Sequence, residues 1–97
     1  MHVGVCRLSL RFAENHSLKE KRQIARSIID KVRNKFNVAI AEVDDNDMWQ
    51  RLTLGISCLS NEASHAHQVI SQVVDYIQKI NGSVEFLDYE VEVVPGP

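Results

Sequence analysis

The chain has 97 residues, 44% hydrophobic and 25% charged, with a formal net charge of −2. That is ordinary globular composition and excludes a disordered or low-complexity chain. No apolar run approaches the about 20 residues of a membrane span, and no secretory signal opens the sequence. The length predicts one domain over residues 1–94 with a tail at 95–97. A domain this small buries roughly 60–65% of its unfolded surface, enough for one core. Two cysteines, Cys6 and Cys58, each lie inside an apolar run, which fits reduced core thiols and a cytoplasmic setting. Charge is uneven. From Arg7 to Lys35 nine Lys and Arg face three Asp and Glu, net +6, whereas the remainder is net −8. Such halves often mark a molecule with a basic face.

In chain order, "HVGVCRLSLRF" at 2–12 alternates, with Cys6, Leu8, Leu10 and Phe12 on one parity and Arg7, Ser9 and Arg11 on the other. This predicts a strand with one buried face. Val3 and Val5 fall on the polar parity, so either a bulge shifts the phase or the second face is partly covered. Ser17 reads as an N-cap with Glu20 closing a capping box, and a helix runs to about Phe36. Leu18, Ala25, Ile29, Val32 and Phe36 share one face of it, with Ile28 at the edge. "NVAIAEV" at 37–43 predicts a second strand and "DDND" at 44–47 a turn. "RLTLGISCL" at 51–59 alternates, placing Leu52, Leu54, Ile56 and Cys58 inward. Ser60 or Asn61 caps a second helix whose apolar positions are Ala63, Ala66, Ile70, Val73, Ile77 and Ile80. Asn81-Gly82 ends it. "SVEFLDYEVEVV" is the last strand, with Leu87, Tyr89, Val91 and Val93 inward and Phe86 outward.

The order β-α-β-β-α-β predicts an α+β, ferredoxin-like domain: a four-stranded antiparallel-type sheet with both helices on one face. Right-handed crossovers place the first and third strands side by side in the centre.

"SLKEKR" at 17–22, "FNVAIAEVDDNDMWQR" at 36–51 and "LGISCLSNE" at 54–62 resemble the YlxP-like family, small bacterial proteins classed as a domain of unknown function. The resemblance covers nearly the whole chain. It implies a ferredoxin-like fold. It also implies a translation-related role, because the family's genes commonly neighbour translation and ribosome-maturation genes. It brings no catalytic residues.

The residues themselves show no catalytic constellation. Buried thiols without a His or cationic neighbour are inert, so Cys6 and Cys58 read as packing. His65 and His67 are two apart on a helix and project about 160° apart, so they cannot share a metal there. "DDND" opens like a cation loop but lacks the glycine and closing Glu of an EF-hand, so a solvated turn is the simpler reading; a cation sensor at Asp44, Asp45 and Asp47 is a third, weaker class. No glycine-rich phosphate loop is present, and "RFAENHS" at 11–17 lacks the glycines of an acylphosphatase loop. The expectation is a non-enzyme with no cofactor and no metal.

Sequence-specific RNA reading is not expected either. The third strand carries no aromatic for stacking bases, and there is no GXXG loop. The first helix differs. Lys19, Arg22, Arg26 and Arg33 fall within about 60° of one another. Lys19, Lys21 and Arg22 sit in the first turns, where the macrodipole favours anions. Arg26–Asp30 and Asp30–Arg33 pairs would make this a mere polar shoulder; an anionic partner is the functional alternative. The leading expectation is therefore a non-catalytic binding protein, associated with rRNA or a ribosomal subunit through Lys19, Lys21, Arg22, Arg26 and Arg33. Arg7 and Arg11 are expected to be neutralised across the sheet by Asp88, Glu90 and Glu92. The alternative is a homo-oligomeric, homodimer-type interaction module using the open sheet face, with Val3 and Val5, and the apolar pair Met48 and Trp49 beyond the acidic turn.

Overall fold

A computed structural model describes residues 1–12, 17–44, 50–80, 82 and 84–97. Six elements follow one another: β1 (His2–Arg11), α1 (Leu18–Lys35), β2 (Ala39–Asp44), β3 (Arg51–Ser60), α2 (Ala63–Ile80) and β4 (Glu85–Pro95). The sheet order is β2-β3-β1-β4, and every neighbouring pair is antiparallel. β1 and β3 thus occupy the centre, as right-handed crossovers require. The fold is ferredoxin-like α+β.

Alternation places the core. Cys6, Leu8 and Leu10 from β1 and Leu52, Leu54, Ile56 and Cys58 from β3 point to the same side and are buried. Ala66, Ile70, Val73, Val74 and Ile77 of α2 and Ala25, Ile28 and Val32 of α1 complete one cluster with them. α2 lies close over β1 at Gly4. A Cβ there would sit 3.1 Å from Cys58 Sγ and Ile70 Cγ1 and 3.2 Å from the Ala66 carbonyl.

Several expectations change in detail. The β1–β3 register runs without interruption from His2↔Ser60 to Arg11↔Arg51, so no bulge resets the phase of Val3 and Val5 there. Both lie on the open face, half-buried beside Leu59, Glu92 and Val94. In β4, by contrast, the register shifts between Ser9 and Leu10, so that Asp88 faces Ser9 and Phe86 faces Leu10. Leu87 is the extra residue, and the bulge turns Phe86 onto the core side. The predicted outward position of Phe86 is therefore wrong. Nor is 95–97 wholly a tail: Pro95 closes β4, an edge strand where its missing N–H costs no ladder bond, and the Gly96 N–H donates to the Met1 carbonyl at 2.6 Å.

α1 begins where expected. The Ser17 hydroxyl accepts from the Glu20 N–H at 3.2 Å. The Glu20 carboxylate meets the Ser17 hydroxyl at 3.4 Å, giving the box a side-chain return. Its buried stripe, however, is Lys21, Ala25, Ile28 and Val32. That stripe is rotated by about 40° from the predicted one. Lys21 and Val32 are central, Ile28 joins the stripe and Ile29 moves to the edge. The start of α2 is set by Ser60, whose hydroxyl accepts from the Glu62 N–H at 3.1 Å and bonds His65 Nδ1 at 2.9 Å. Beyond its end, Gly82 takes φ +61°, the left-handed conformation that stops a helix. Among the described residues no helix is long and apolar enough to cross a membrane.

Candidate functional site

The rotation of α1 decides which cations face outward. Lys21 is 1% exposed, and its Nζ lies 3.2 Å from Glu42 Oε1 on β2, whose side chain is 18% exposed. Lys21 was expected on the anion-binding surface; it is instead the buried half of an ion pair. The reason is register. Glu42 pairs with Leu54 and follows Ile40, which faces the core, so its carboxylate points under the helix and needs a counter-charge.

Lys19, Arg22, Arg26 and Arg33 remain exposed. At about 1.5 Å rise per residue they form a row roughly 21 Å long. Arg22, Arg26 and Arg33 line a groove of about 400 Å³ between α1 and β2. Ala25, Ile29, Ile40 and Ala41 supply apolar surface, and Asp30 and Glu42 are its acids. Since Lys21 occupies Glu42, three guanidiniums face one remaining carboxylate. Among the described residues no ion pair joins Asp30 to Arg26 or Arg33, and none engages Arg22. The structural pairs that would have explained the row away are not formed. Arg33 is partly committed: its Nη2 donates to the Ile40 carbonyl at 3.1 Å. That bond blunts the free edge of β2 and leaves the other guanidinium donors available. Lys35 turns to the far side, 4.8 Å above the Tyr76 ring.

The open sheet face carries a different pattern. Arg7 pairs with Asp44 of β2, while Arg11 meets Glu85 at 3.6 Å. The expected partners of both arginines, Asp88, Glu90 and Glu92, are not the ones used. The cause is local: a register shift between Glu42 and Asp44 puts Asp44 opposite Thr53 on this face, within reach of Arg7. Apolar side chains lie at the other end. Leu59, 67% exposed, and Val94, 39% exposed, lie there beside Val3, while Val43, 49% exposed, sits over Gly55 next to Arg7.

Among the described residues neither surface carries a reactive thiol or a metal-binding cluster. Burial pushes the Cys6 thiol up to about 11, and the Cys58 Sγ–H donates to the Ala66 carbonyl at 3.5 Å. Both thiols are buried and free. Among the described residues no group of three or more His, Cys, Asp or Glu is placed to hold a metal ion. His65 is engaged by Ser60. Asp45 and Asp47 of the acidic turn, and the interaction candidates Met48 and Trp49, lie outside the described residues.

What the sequence reading missed is the Lys21–Glu42 pair and the groove it frames. One signal was present: with Ile40 inward, parity alone puts Glu42 inward too.

Comparison with known proteins agrees with the motifs. A curated relative, the uncharacterized protein YlxP of Bacillus subtilis (strain 168), is 39% identical over 61 residues, which are 63% of this chain and 66% of the relative. The match therefore spans just under two thirds of that relative's length. Among solved structures, a de novo designed protein, Ferredog-Diesel, aligns with a TM-score of 0.43 and 9% identity over 93% of this chain and 83% of its own. A putative chlorite dismutase aligns with a TM-score of 0.49 and 15% identity over 96% of this chain and 44% of its own. Neither structural likeness is strong enough to bear on function. The model of the family described as protein of unknown function (DUF503) matches residues 3–91, and the chain belongs to that family.

Proposed function

We propose that this protein is a non-catalytic binding protein that takes a polyanion, the phosphate backbone of RNA, along the outer row of α1. The observation that carries the reading is the groove beside β2, where Arg22, Arg26 and Arg33 converge and only Asp30 opposes them once Lys21 has neutralised Glu42. Lys19 extends the row toward the helix N-terminus, where the macrodipole adds to the positive potential. Long arginine stems lie along the apolar floor while their heads stay in water. Contacts of this kind hold phosphates without reading bases. A ribosomal subunit, with its dense rRNA surface, is the natural test partner. In co-sedimentation at low salt the parent should pellet with subunits, and a Lys19→Glu/Arg22→Glu/Arg26→Glu variant should stay in the supernatant. Equal pelleting of the two would refute the proposal.

A second reading is assembly of two copies through the bare sheet face, favoured by exposed Leu59, Val43 and Val94. It ranks below the first. That face sets Asp44, Glu85, Asp88, Glu90 and Glu92 against Arg7, Arg11 and Arg51 and is net acidic, so two such faces would repel. Light scattering at high protein concentration separates the readings: a dimer supports the second, a monomer removes it.

A further inference from the structure

We infer that the arginine row recognises the backbone of a nucleic-acid duplex in preference to a single strand; the inference rests on the polyanion reading above.

Three observations carry it. The row is straight and preset. α1 is an 18-residue helix tied to β2 at two points: near its start by Lys21–Glu42 at 3.2 Å, and near its end by Arg33 to the Ile40 carbonyl at 3.1 Å. A rigid row of about 21 Å matches a ligand whose phosphates are already ordered. Second, among the described residues the groove holds no aromatic ring: its apolar members are Ala25, Ile29, Ile40 and Ala41. Proteins that hold single strands draw much of their affinity from stacking bases on aromatic rings, and the described residues of the groove supply none. Phe36, the aromatic nearest the helix end, is packed edge-on against Tyr76 at 5.6 Å. Third, charge density favours the duplex. A B-form duplex presents one charge per about 1.7 Å of axis, against about 3.4 Å for one of its strands, so the row faces a higher charge density along its length. With its cations strung along one helix as a row, the surface suits recognition by shape and phosphates, the usual mode for double-stranded RNA. RNA and DNA duplexes share that chemistry.

The test is fluorescence anisotropy at low salt with four probes: a 20-base-pair RNA duplex, the matching DNA duplex, one of the RNA strands alone, and polyglutamate as competitor. The RNA duplex should bind at least about fivefold tighter than the single strand, and the Lys19→Glu/Arg22→Glu/Arg26→Glu variant should lose at least about tenfold in duplex affinity. Equal binding of the DNA duplex supports a phosphate-only mode; tighter binding of the DNA duplex assigns the source to DNA. Equal or tighter binding of the single strand overturns the inference and leaves the polyanion reading standing. Absence of binding to every nucleic acid overturns both. Displacement by polyglutamate at equal charge overturns it in favour of an acidic polypeptide. Far-UV circular dichroism of the variant should match the parent, since all three substitutions are at exposed positions.

Discussion

Replacing Lys21 with methionine keeps most of the side-chain volume and removes the ammonium. In the parent the Lys21 side chain is 1% exposed and its ammonium stands 3.2 Å from Glu42 Oε1. Its loss leaves a carboxylate under the helix without that counter-charge. Breaking a fully buried pair from one side costs about 3–5 kcal/mol. Glu42 keeps 18% exposure and can recover some hydration, so about 2–4 kcal/mol is expected. Against a total stability of about 5–15 kcal/mol this is a large loss. For a domain of this size it lowers Tm by roughly 10–25 °C. Adding Glu42→Leu removes the stranded charge, and the double variant should return to within about 1 kcal/mol of the parent or exceed it. Urea unfolding followed by far-UV circular dichroism on the parent, both single variants and the double variant yields the coupling energy. A coupling below about 0.5 kcal/mol, with Lys21→Met as stable as the parent, would refute the claim that Lys21 is committed to Glu42.

Two further outcomes follow from the core. The Cys6 thiol is pushed from its ordinary 9.0 to about 11 by burial. Below pH 9 both folded and unfolded thiols are protonated, and stability is unaffected. Above it the unfolded thiol ionises first, so stability falls as pH rises from 9 through about 11, by up to about 2.7 kcal/mol. Urea midpoints across that range should fall less steeply for Cys6→Ala than for the parent; identical slopes would count against it. At Gly4, an alanine Cβ would press on Cys58 Sγ, Ile70 Cγ1 and the Ala66 carbonyl at 3.1–3.2 Å. Gly4→Ala should cost about 1–3 kcal/mol by chemical denaturation, and a neutral result would mean that α2 withdraws freely.

The architecture was legible because alternation and helical spacing are read directly from apolar side chains. Leu8, Leu10, Leu52, Leu54 and Ile56 declare their strands, and the 3-4 spacing of Ile70, Val73 and Ile77 declares α2. The departures arise where a residue's type misstates its position. A lysine in the core stripe of α1 rotated the apparent apolar face by about 40° and hid one member of the basic cluster. Bulges opposite Thr53 and near Leu10 changed the facing of Asp44 and Phe86, and a one-residue insertion leaves no mark in an alternating pattern. The groove was illegible for another reason. It is formed by the side of one helix and the edge of a strand paired elsewhere, so no local segment contains it. The outward row itself, Lys19, Arg22, Arg26 and Arg33, was visible from angle alone. What the fold adds is that Asp30 does not pair with it and that Lys21 does not belong to it.

The salt dependence of RNA binding is the most direct measurement. With three to four cations contacting phosphates, log K against log salt for the parent should fall with a slope of roughly −2 to −4, and for the Lys19→Glu/Arg22→Glu/Arg26→Glu variant should be near zero with greatly weakened binding. A variant with the parent's slope and affinity would mean that the outer row of α1 does not hold RNA.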